Sequence, residues 1–173
     1  MTGVWWEYLA IFSATATVCV VLTPWAMRLA FRRNLLDHPG GHKSHDTAVP
    51  YLGGVSIVAT FSLMVVLISL IWPPHSGLRE LLVVLAMAVF LALVGLADDV
   101  RQVSPLWRIV AEIVAAVAIW SVGTGAIVTA SEPVNMGLTI LWFVGITNAF
   151  NLLDNMDGLA AGLAAIASLT IFA

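Results

Sequence analysis

The chain has 173 residues, of which 61% are hydrophobic and only 10% are charged. This composition leaves too little polar surface to solvate a globular domain, so the chain belongs to the integral membrane class. The net charge of −3 says little, because the few charges lie in short loops, and no surface for nucleic acid is visible. The single cysteine, Cys19, excludes an internal disulfide or a cysteine-based metal site.

Six apolar segments follow one another along the chain, several of them close to the about 20 residues that a transmembrane helix needs. The first has no preceding basic region and is too long for a signal-peptide core, so it is predicted to be a retained spanning helix. Glycines interrupt the apolar stretch between the short fourth and fifth segments. A turn that dips into the membrane is therefore one alternative for this connection. The segments run approximately over residues 8–27, 52–72, 81–97, 109–122, 136–150 and 159–173.

These segments predict an all-α fold, a polytopic bundle of about six transmembrane helices that forms a single domain over residues 1–173. Lys and Arg in short loops concentrate on the cytoplasmic side of a membrane. The first and third loops and their flanks are rich in these bases, whereas the second loop carries only Arg79. The N-terminus is therefore predicted outside, and the first, third and fifth loops are predicted together on the cytoplasmic face.

An aspartate pair, Asp98 and Asp99, ends the third apolar segment. Successive helical residues point about 100° apart, so one carboxylate can face a site while the other supports it or faces solvent. A magnesium ion would offset the repulsion between the two carboxylates. The alternative is an ordinary helix terminus with Arg101 as a surface partner.

A run of amides and acids, TNAFNLLDNMDG, ends the fifth segment. Carboxylate and amide oxygens suit Mg²⁺, which usually takes one or two carboxylates together with waters and substrate phosphates. One straight helix cannot aim all four polar residues at one point, so a bend or a helix end is predicted near residues 155–158. The alternative is an amide and acid network that joins helices. The four residues recur every three positions, at Asn148, Asn151, Asp154 and Asp157.

The first loop, HPGGHKSHDTAVPYLGG, places Lys43 between two histidines and ends on a glycine pair. Lysine can pair with a phosphate, and paired glycines let a phosphate approach a helix N-terminus, although helix packing explains the glycines equally well. Zinc is not predicted, because the histidines have no further ligand nearby.

Glu112 lies early in the fourth segment, where a carboxylate costs free energy unless it faces protein, water or a partner. Arg108, one turn earlier, is the expected partner. A structural pairing is favoured over a catalytic role.

Three stretches taken in order, HKSHDTAVPYLGG, LADDVRQVSPLWR and NAFNLLDNMDGLAAG, resemble the polyprenyl-phosphate N-acetylhexosamine-1-phosphate transferases. The resemblance is greatest to the bacterial undecaprenyl-phosphate GlcNAc-1-phosphate transferases of lipopolysaccharide and teichoic-acid synthesis. It implies that the phosphate of a membrane lipid attacks the sugar-proximal phosphorus of a UDP-sugar, with magnesium as cofactor. The products are a lipid diphosphate sugar and UMP, and the expected location is the cytoplasmic face of the bacterial inner membrane.

The resemblance also implies roles for individual residues, namely a catalytic aspartate pair, two magnesium ligands and three substrate-binding residues. The catalytic pair is Asp98 and Asp99, the magnesium ligands are Asn151 and Asp154, and the substrate-binding residues are Lys43, Asn148 and Asp157. The implied partners are a polyprenyl phosphate, a UDP-N-acetylhexosamine and the bilayer, with no nucleic acid; a homodimer is left open.

Two positions depart from the family pattern. His42 stands where relatives often carry arginine, and Asn155 replaces the first glycine of a DGxDG pattern. Family members also continue through further helices and a cytoplasmic loop that bears another aspartate and a histidine-rich motif. The chain is therefore expected to be the N-terminal part of a longer family domain, inactive alone.

Other membrane proteins explain the motifs less well. An intramembrane prenyltransferase and a CDP-alcohol phosphotransferase would each need motif residues that this sequence lacks. An ion-coupled transporter usually places its carboxylates near the bilayer midplane rather than at one face. A non-catalytic membrane subunit is the remaining alternative.

Overall fold

The computed structural model describes residues 5–37, 48–101, 103–154 and 158–172. This part of the chain forms six α-helices and one short antiparallel strand pair, which confirms the predicted all-α class. The helices are α1 (Trp5–Arg33), α2 (Gly53–Ile71), α3 (Leu78–Arg101), α4 (Pro105–Ser121), α5 (Glu132–Leu153) and α6 (Leu159–Phe172), and the strands are β1 (Leu36–Asp37) and β2 (Val49–Pro50).

Four of the described helices, α1, α2, α3 and α5, are long and apolar enough to cross a membrane. The membrane bundle is thus confirmed, with fewer full-length spans than the about six predicted. Helix α4 has 17 residues and the described part of α6 has 14. At ~1.5 Å per residue, α4 covers about 25 Å, which is less than the ~30 Å hydrocarbon core of a bilayer.

Helices α1, α3 and α5 extend at both ends beyond the apolar segments that predicted them. Helix α3 continues through the aspartate pair to Arg101, and α5 starts at Glu132 and runs on to Leu153. The predicted segments end at the last apolar residue, whereas the backbone hydrogen bonds of a helix continue through polar residues at the membrane border. As a result, Asp98, Asp99 and Asn151 lie on helices rather than in loops.

The chain divides into two compact units, Met1–Arg108 and Ile109–Ala173. In the first unit α2 contacts both α1 and α3. The hydroxyl groups of Thr23 and Ser56 lie 2.9 Å apart and join α1 to α2. Small polar side chains of this kind let membrane helices approach closely, because burial against lipid provides no hydrophobic drive.

The two strands close the base of the first loop. Leu36 pairs with Pro50 in the antiparallel register, so the chain leaves α1 and returns toward α2 at neighbouring positions. This pairing fixes the ends of the loop that carries Lys43. Lys43 itself lies outside the described residues.

In the second unit, α5 contacts α6, and a side-chain hydrogen bond links α5 to α4. Helix α4 buries a narrow face, and the buried positions recur at the four-residue spacing of neighbours on one side of a helix. Three of the four are alanine, which permits a close approach of helices in a membrane. The buried residues are Ala111, Glu112, Ala115 and Ala116.

Candidate active site

The aspartate pair lies in the last turns of α3, where Asp98 is held by an arginine from the next helix. The Arg108 guanidinium donates a hydrogen bond from Nη1 to Asp98 Oδ2 over 3.0 Å. Both side chains are only partly exposed, which weakens the screening of this ion pair by water. The interaction fixes the orientation of one carboxylate of the pair.

Helix α4 begins in a way that brings Arg108 to this position. Pro105 is its first residue, where a proline loses no helical hydrogen bond and has a suitable φ angle. The Ser104 carbonyl accepts hydrogen bonds from the backbone N–H groups of Trp107, over 2.9 Å, and Arg108, over 3.4 Å. Arg108 is therefore in the first turn of α4, one short connection away from the end of α3.

Asp99 is exposed at the same end of α3. On a regular helix, adjacent side chains leave the axis in directions about 100° apart. The pair thus presents one carboxylate that is anchored by Arg108 and a second that is accessible.

The prediction that Arg108 pairs with Glu112 was wrong. The sequence suggested Glu112, one turn later on the same helix, but Arg108 contacts Asp98 and Glu112 contacts Asn148. The rule for neighbours on one helix favours the four-residue pair. The short connection between α3 and α4 instead brings the arginine to the preceding helix.

Glu112 and Asn148 join α4 to α5 in the second unit. Asn148 donates from Nδ2 to Glu112 Oε2 over 2.5 Å and to the Val144 carbonyl over 2.9 Å. The glutamate is only 5% exposed, so a partner is needed to offset the desolvation of its carboxyl group. For Asn148, this contact matches the alternative to a magnesium site, namely an amide and acid network that joins helices.

Asn151 and Asp154 lie at the end of α5, and both are exposed. Asp154 is the C-terminal cap of the helix, and its backbone N–H donates to the Phe150 carbonyl over 3.0 Å. Residues three apart are neighbours on a helix surface, so both oxygen-bearing side chains lie on one side of the helix end.

A bend or helix end was predicted near residues 155–158, and a helix end is observed slightly earlier, inside the motif. Helix α5 stops at Leu153 and α6 starts at Leu159. Gly158 has a φ of +73°, a left-handed conformation that glycine adopts at little cost. This conformation lets the chain change direction just before α6. Along the motif, Asn148 contacts α4, whereas Asn151 and Asp154 are exposed at the end of α5.

The donor set at the end of α5 is compatible with magnesium. Asn151 and Asp154 offer an amide and a carboxylate oxygen, and Mg²⁺ commonly uses few protein ligands with waters and phosphates in the other positions. Within the described ranges, no group of three or more His, Cys, Asp or Glu side chains is placed to hold a metal. Asp157, like Lys43, lies outside those ranges.

Comparison with known proteins identifies the family. The model of glycosyl transferase family 4 matches residues 81–173, a range that contains both the aspartate pair and the amide and acid motif. The chain therefore belongs to glycosyl transferase family 4, and the resemblance found from the motifs is confirmed.

Three relatives illustrate the similarity. A probable undecaprenyl-phosphate N-acetylglucosaminyl 1-phosphate transferase of Bacillus subtilis is 31% identical over 169 residues, which cover 92% of this chain and 46% of the relative. An undecaprenyl-phosphate alpha-N-acetylglucosaminyl 1-phosphate transferase of Thermotoga maritima is 33% identical, with 96% and 50% covered. A decaprenyl-phosphate N-acetylglucosaminephosphotransferase of Mycolicibacterium smegmatis is 30% identical, with 98% and 45% covered.

The chain spans about half the length of these curated relatives. No solved structure matches it significantly.

Proposed function

We propose that this chain forms part of a phosphoglycosyltransferase that moves a HexNAc-1-phosphate from a UDP-sugar to undecaprenyl phosphate. The observation that carries the proposal is the divided aspartate pair on α3, in which Arg108 anchors Asp98 while Asp99 is accessible. The named relatives act on undecaprenyl or decaprenyl phosphate and on N-acetylglucosamine. GlcNAc is therefore the proposed sugar, and the reaction would begin cell-envelope polysaccharide synthesis.

In the proposed reaction, an oxygen of the lipid phosphate forms a bond to the sugar-proximal phosphorus. The bond from that phosphorus to the bridging oxygen breaks, and UMP leaves with the electron pair. The lipid phosphate is already an anion, so the site needs to position the reactants and neutralise charged oxygens rather than supply a strong base. Arg108 suits this task, because a guanidinium has five donors and can hold Asp98 while it contacts a phosphate.

Asn151 and Asp154 are the proposed magnesium ligands, and Lys43 and Asp157 are proposed to contact substrate. Bound magnesium would offset the negative charge of the diphosphate oxygens. The hydrogen bond from Asn148 to Glu112 supports a positioning role for Asn148, because it fixes the register of α5 against α4. This contact lies a little less than one turn before Asn151.

The proposed topology places the N-terminus outside, with the active face toward the cytoplasm in a bacterial inner membrane. Loop parity and the positive-inside rule support this arrangement, and the ends of α3 and α5 that bear the motifs then share one membrane face. The motif carboxylates Asp98, Asp99 and Asp154 lie at helix ends, as a site at the membrane surface requires. An ion-coupled transporter would be expected to place them near the middle of the helices.

The decisive experiment uses the full-length protein in vesicles with undecaprenyl phosphate, magnesium and UDP-GlcNAc labelled in its uridine and sugar. UMP release with equal transfer of sugar to lipid is expected. Absence of UMP with every UDP-N-acetylhexosamine tested would contradict the proposal. Uptake of intact nucleotide sugar into the vesicles would indicate a transporter instead.

A further inference from the structure

The connection between α4 and α5, residues 122–131, is tied to α5 by two buried polar side chains. The Asn135 carboxamide oxygen accepts hydrogen bonds from the backbone N–H groups of Val128, over 3.1 Å, and Thr129, over 2.8 Å. Its amide group donates to the Thr129 carbonyl over 2.8 Å. One turn further along, the Thr139 hydroxyl accepts from the Ala126 N–H over 3.0 Å. Part of the non-helical backbone of the loop, at Ala126, Val128 and Thr129, therefore has partners within the protein.

The loop lies alongside the first two turns of α5. The bond between Glu112 and Asn148 gives a common level on the two antiparallel helices. From this level α4 continues for about 14 Å to its end at Ser121, whereas α5 extends about 24 Å back to Glu132, at ~1.5 Å per residue. Helix α5 thus reaches about 10 Å beyond α4, and the loop covers that difference.

Because of this difference, the end of α4 lies deeper in the bilayer than the start of α5 when α5 crosses the membrane. Helix α5 is a candidate span of 22 residues, or about 33 Å, close to the ~30 Å thickness of a hydrocarbon core. The turns that contact the loop therefore lie at the edge of the hydrocarbon region when α5 crosses it. Non-helical backbone is tolerated at such depth only where its polar groups are satisfied by protein or water, as Asn135 and Thr139 do here.

The outward surface of the loop is apolar. Ile127 is 82% exposed and Val128 is 71% exposed, and they stand next to each other at the tip. The inner side is packed, since a Cβ atom placed on Gly125 would lie 2.7 Å from Cζ3 of Trp120.

We propose that the tip of the connection between α4 and α5 inserts into the lipid leaflet at the Glu132 end of α5, with Ile127 and Val128 among the acyl chains near the headgroups. The loop completes the crossing that α4 begins. An aqueous loop would expose two large apolar side chains to water and would not need buried partners for its backbone. The inference depends on membrane insertion of α5 and not on the transfer reaction.

Spin labels can locate the loop in the full-length protein reconstituted in phosphatidylcholine vesicles. In a Cys19→Ser background, single labels are introduced by Ile127→Cys, Val128→Cys and Ser131→Cys. The labels at 127 and 128 should collide more often with oxygen, which enters the bilayer, than with a water-soluble nickel chelate. The label at Ser131, the residue that caps α5, is the control and should show the opposite preference.

Two results would overturn the proposal. Frequent collision of the 127 and 128 labels with the nickel chelate would place the tip in water. Low collision rates with both reagents would show that another protein segment covers it.

The role of Asn135 has its own test. Asn135→Ala removes the side chain that accepts from two backbone N–H groups of the loop, so the nickel collision rate of the label at 128 should rise several-fold. Val134→Ala, at an exposed neighbouring position, is the control and should leave that rate unchanged. Equal rates in both variants would contradict the anchoring role of Asn135.

Discussion

The Arg108 guanidinium, in the first turn of α4, donates to the Asp98 carboxylate at the end of α3 over 3.0 Å. The two residues are separated by a connection that begins after Arg101 and ends at Pro105. A contact across so short a connection links the start of α4 to the end of α3. We expect the orientation of Asp98 to depend on it.

Arg108→Ala should therefore lower the rate of UMP release by up to about 100-fold, because a small displacement of a reacting group is enough for a loss of this size. Arg108→Lys should restore only part of the rate, since an ammonium group keeps the charge but not the fork of donors. Arg101→Ala removes the same charge from the exposed end of α3 and is the control. Equal effects at both positions would show that net charge matters rather than the contact with Asp98.

Asp99→Asn should abolish turnover without loss of membrane insertion. The substitution keeps the size of the exposed side chain and removes the negative charge with which the carboxylate would take up a proton or orient magnesium and Lys43. Glu80→Gln makes the same chemical change in the first turn of α3, at the other end of that helix, and should leave turnover near the wild-type rate. A wild-type rate in the Asp99 variant would refute the site assignment.

Asp154→Asn should raise the magnesium concentration needed for half-maximal activity, or abolish activity where no concentration compensates. A carboxylate binds Mg²⁺ more strongly than an amide because it is charged. A magnesium titration of UMP release measures the change, with Glu132→Gln at the opposite end of α5 as the control. An unchanged titration curve for the Asp154 variant would remove it from the proposed metal site.

The sequence was sufficient to predict the class of fold and a bend or helix end close to Asp154. Long apolar runs specify membrane helices, and the polar spacing from Asn148 onward is incompatible with one straight helix facing one site. It was insufficient for contacts between helices. The partner of Arg108 depends on how a short connection turns, and four-residue spacing on one helix carries no information about that turn.

The same limit applies to the loop that joins α4 to α5. Asn135 lies just before the predicted start of the fifth segment and had no assigned role, because its partners are backbone groups that every sequence contains. A usable signal was present in the apolar loop itself. Backbone groups at membrane depth need partners, so an Asn and a Thr one turn apart on the next helix are candidates for that role.

Glu112→Ala should destabilise the contact between α4 and α5 by about 1–2 kcal/mol, because it removes the acceptor on α4 and leaves the Asn148 amide only the Val144 carbonyl. Glu112→Gln should have a smaller effect, since the new side-chain oxygen can accept the same hydrogen bond. Unfolding in mixed detergent micelles measures both variants. A double-mutant cycle with Asn148→Ala isolates the pair, and a coupling energy of zero would show that the contact contributes nothing to stability.

Gly125→Ala tests the packing of the loop against the end of α4. The added Cβ would lie 2.7 Å from Cζ3 of Trp120 and 3.1 Å from the Thr139 hydroxyl, so the ring and the loop must separate. Such overpacking costs about 1–3 kcal/mol, and the thermal unfolding midpoint should fall. Gly137→Ala is the matched control, because its Cβ would meet nothing within 4 Å and alanine favours a helix. A fall in the midpoint for Gly137→Ala but not for Gly125→Ala would contradict the packing of this loop on Trp120.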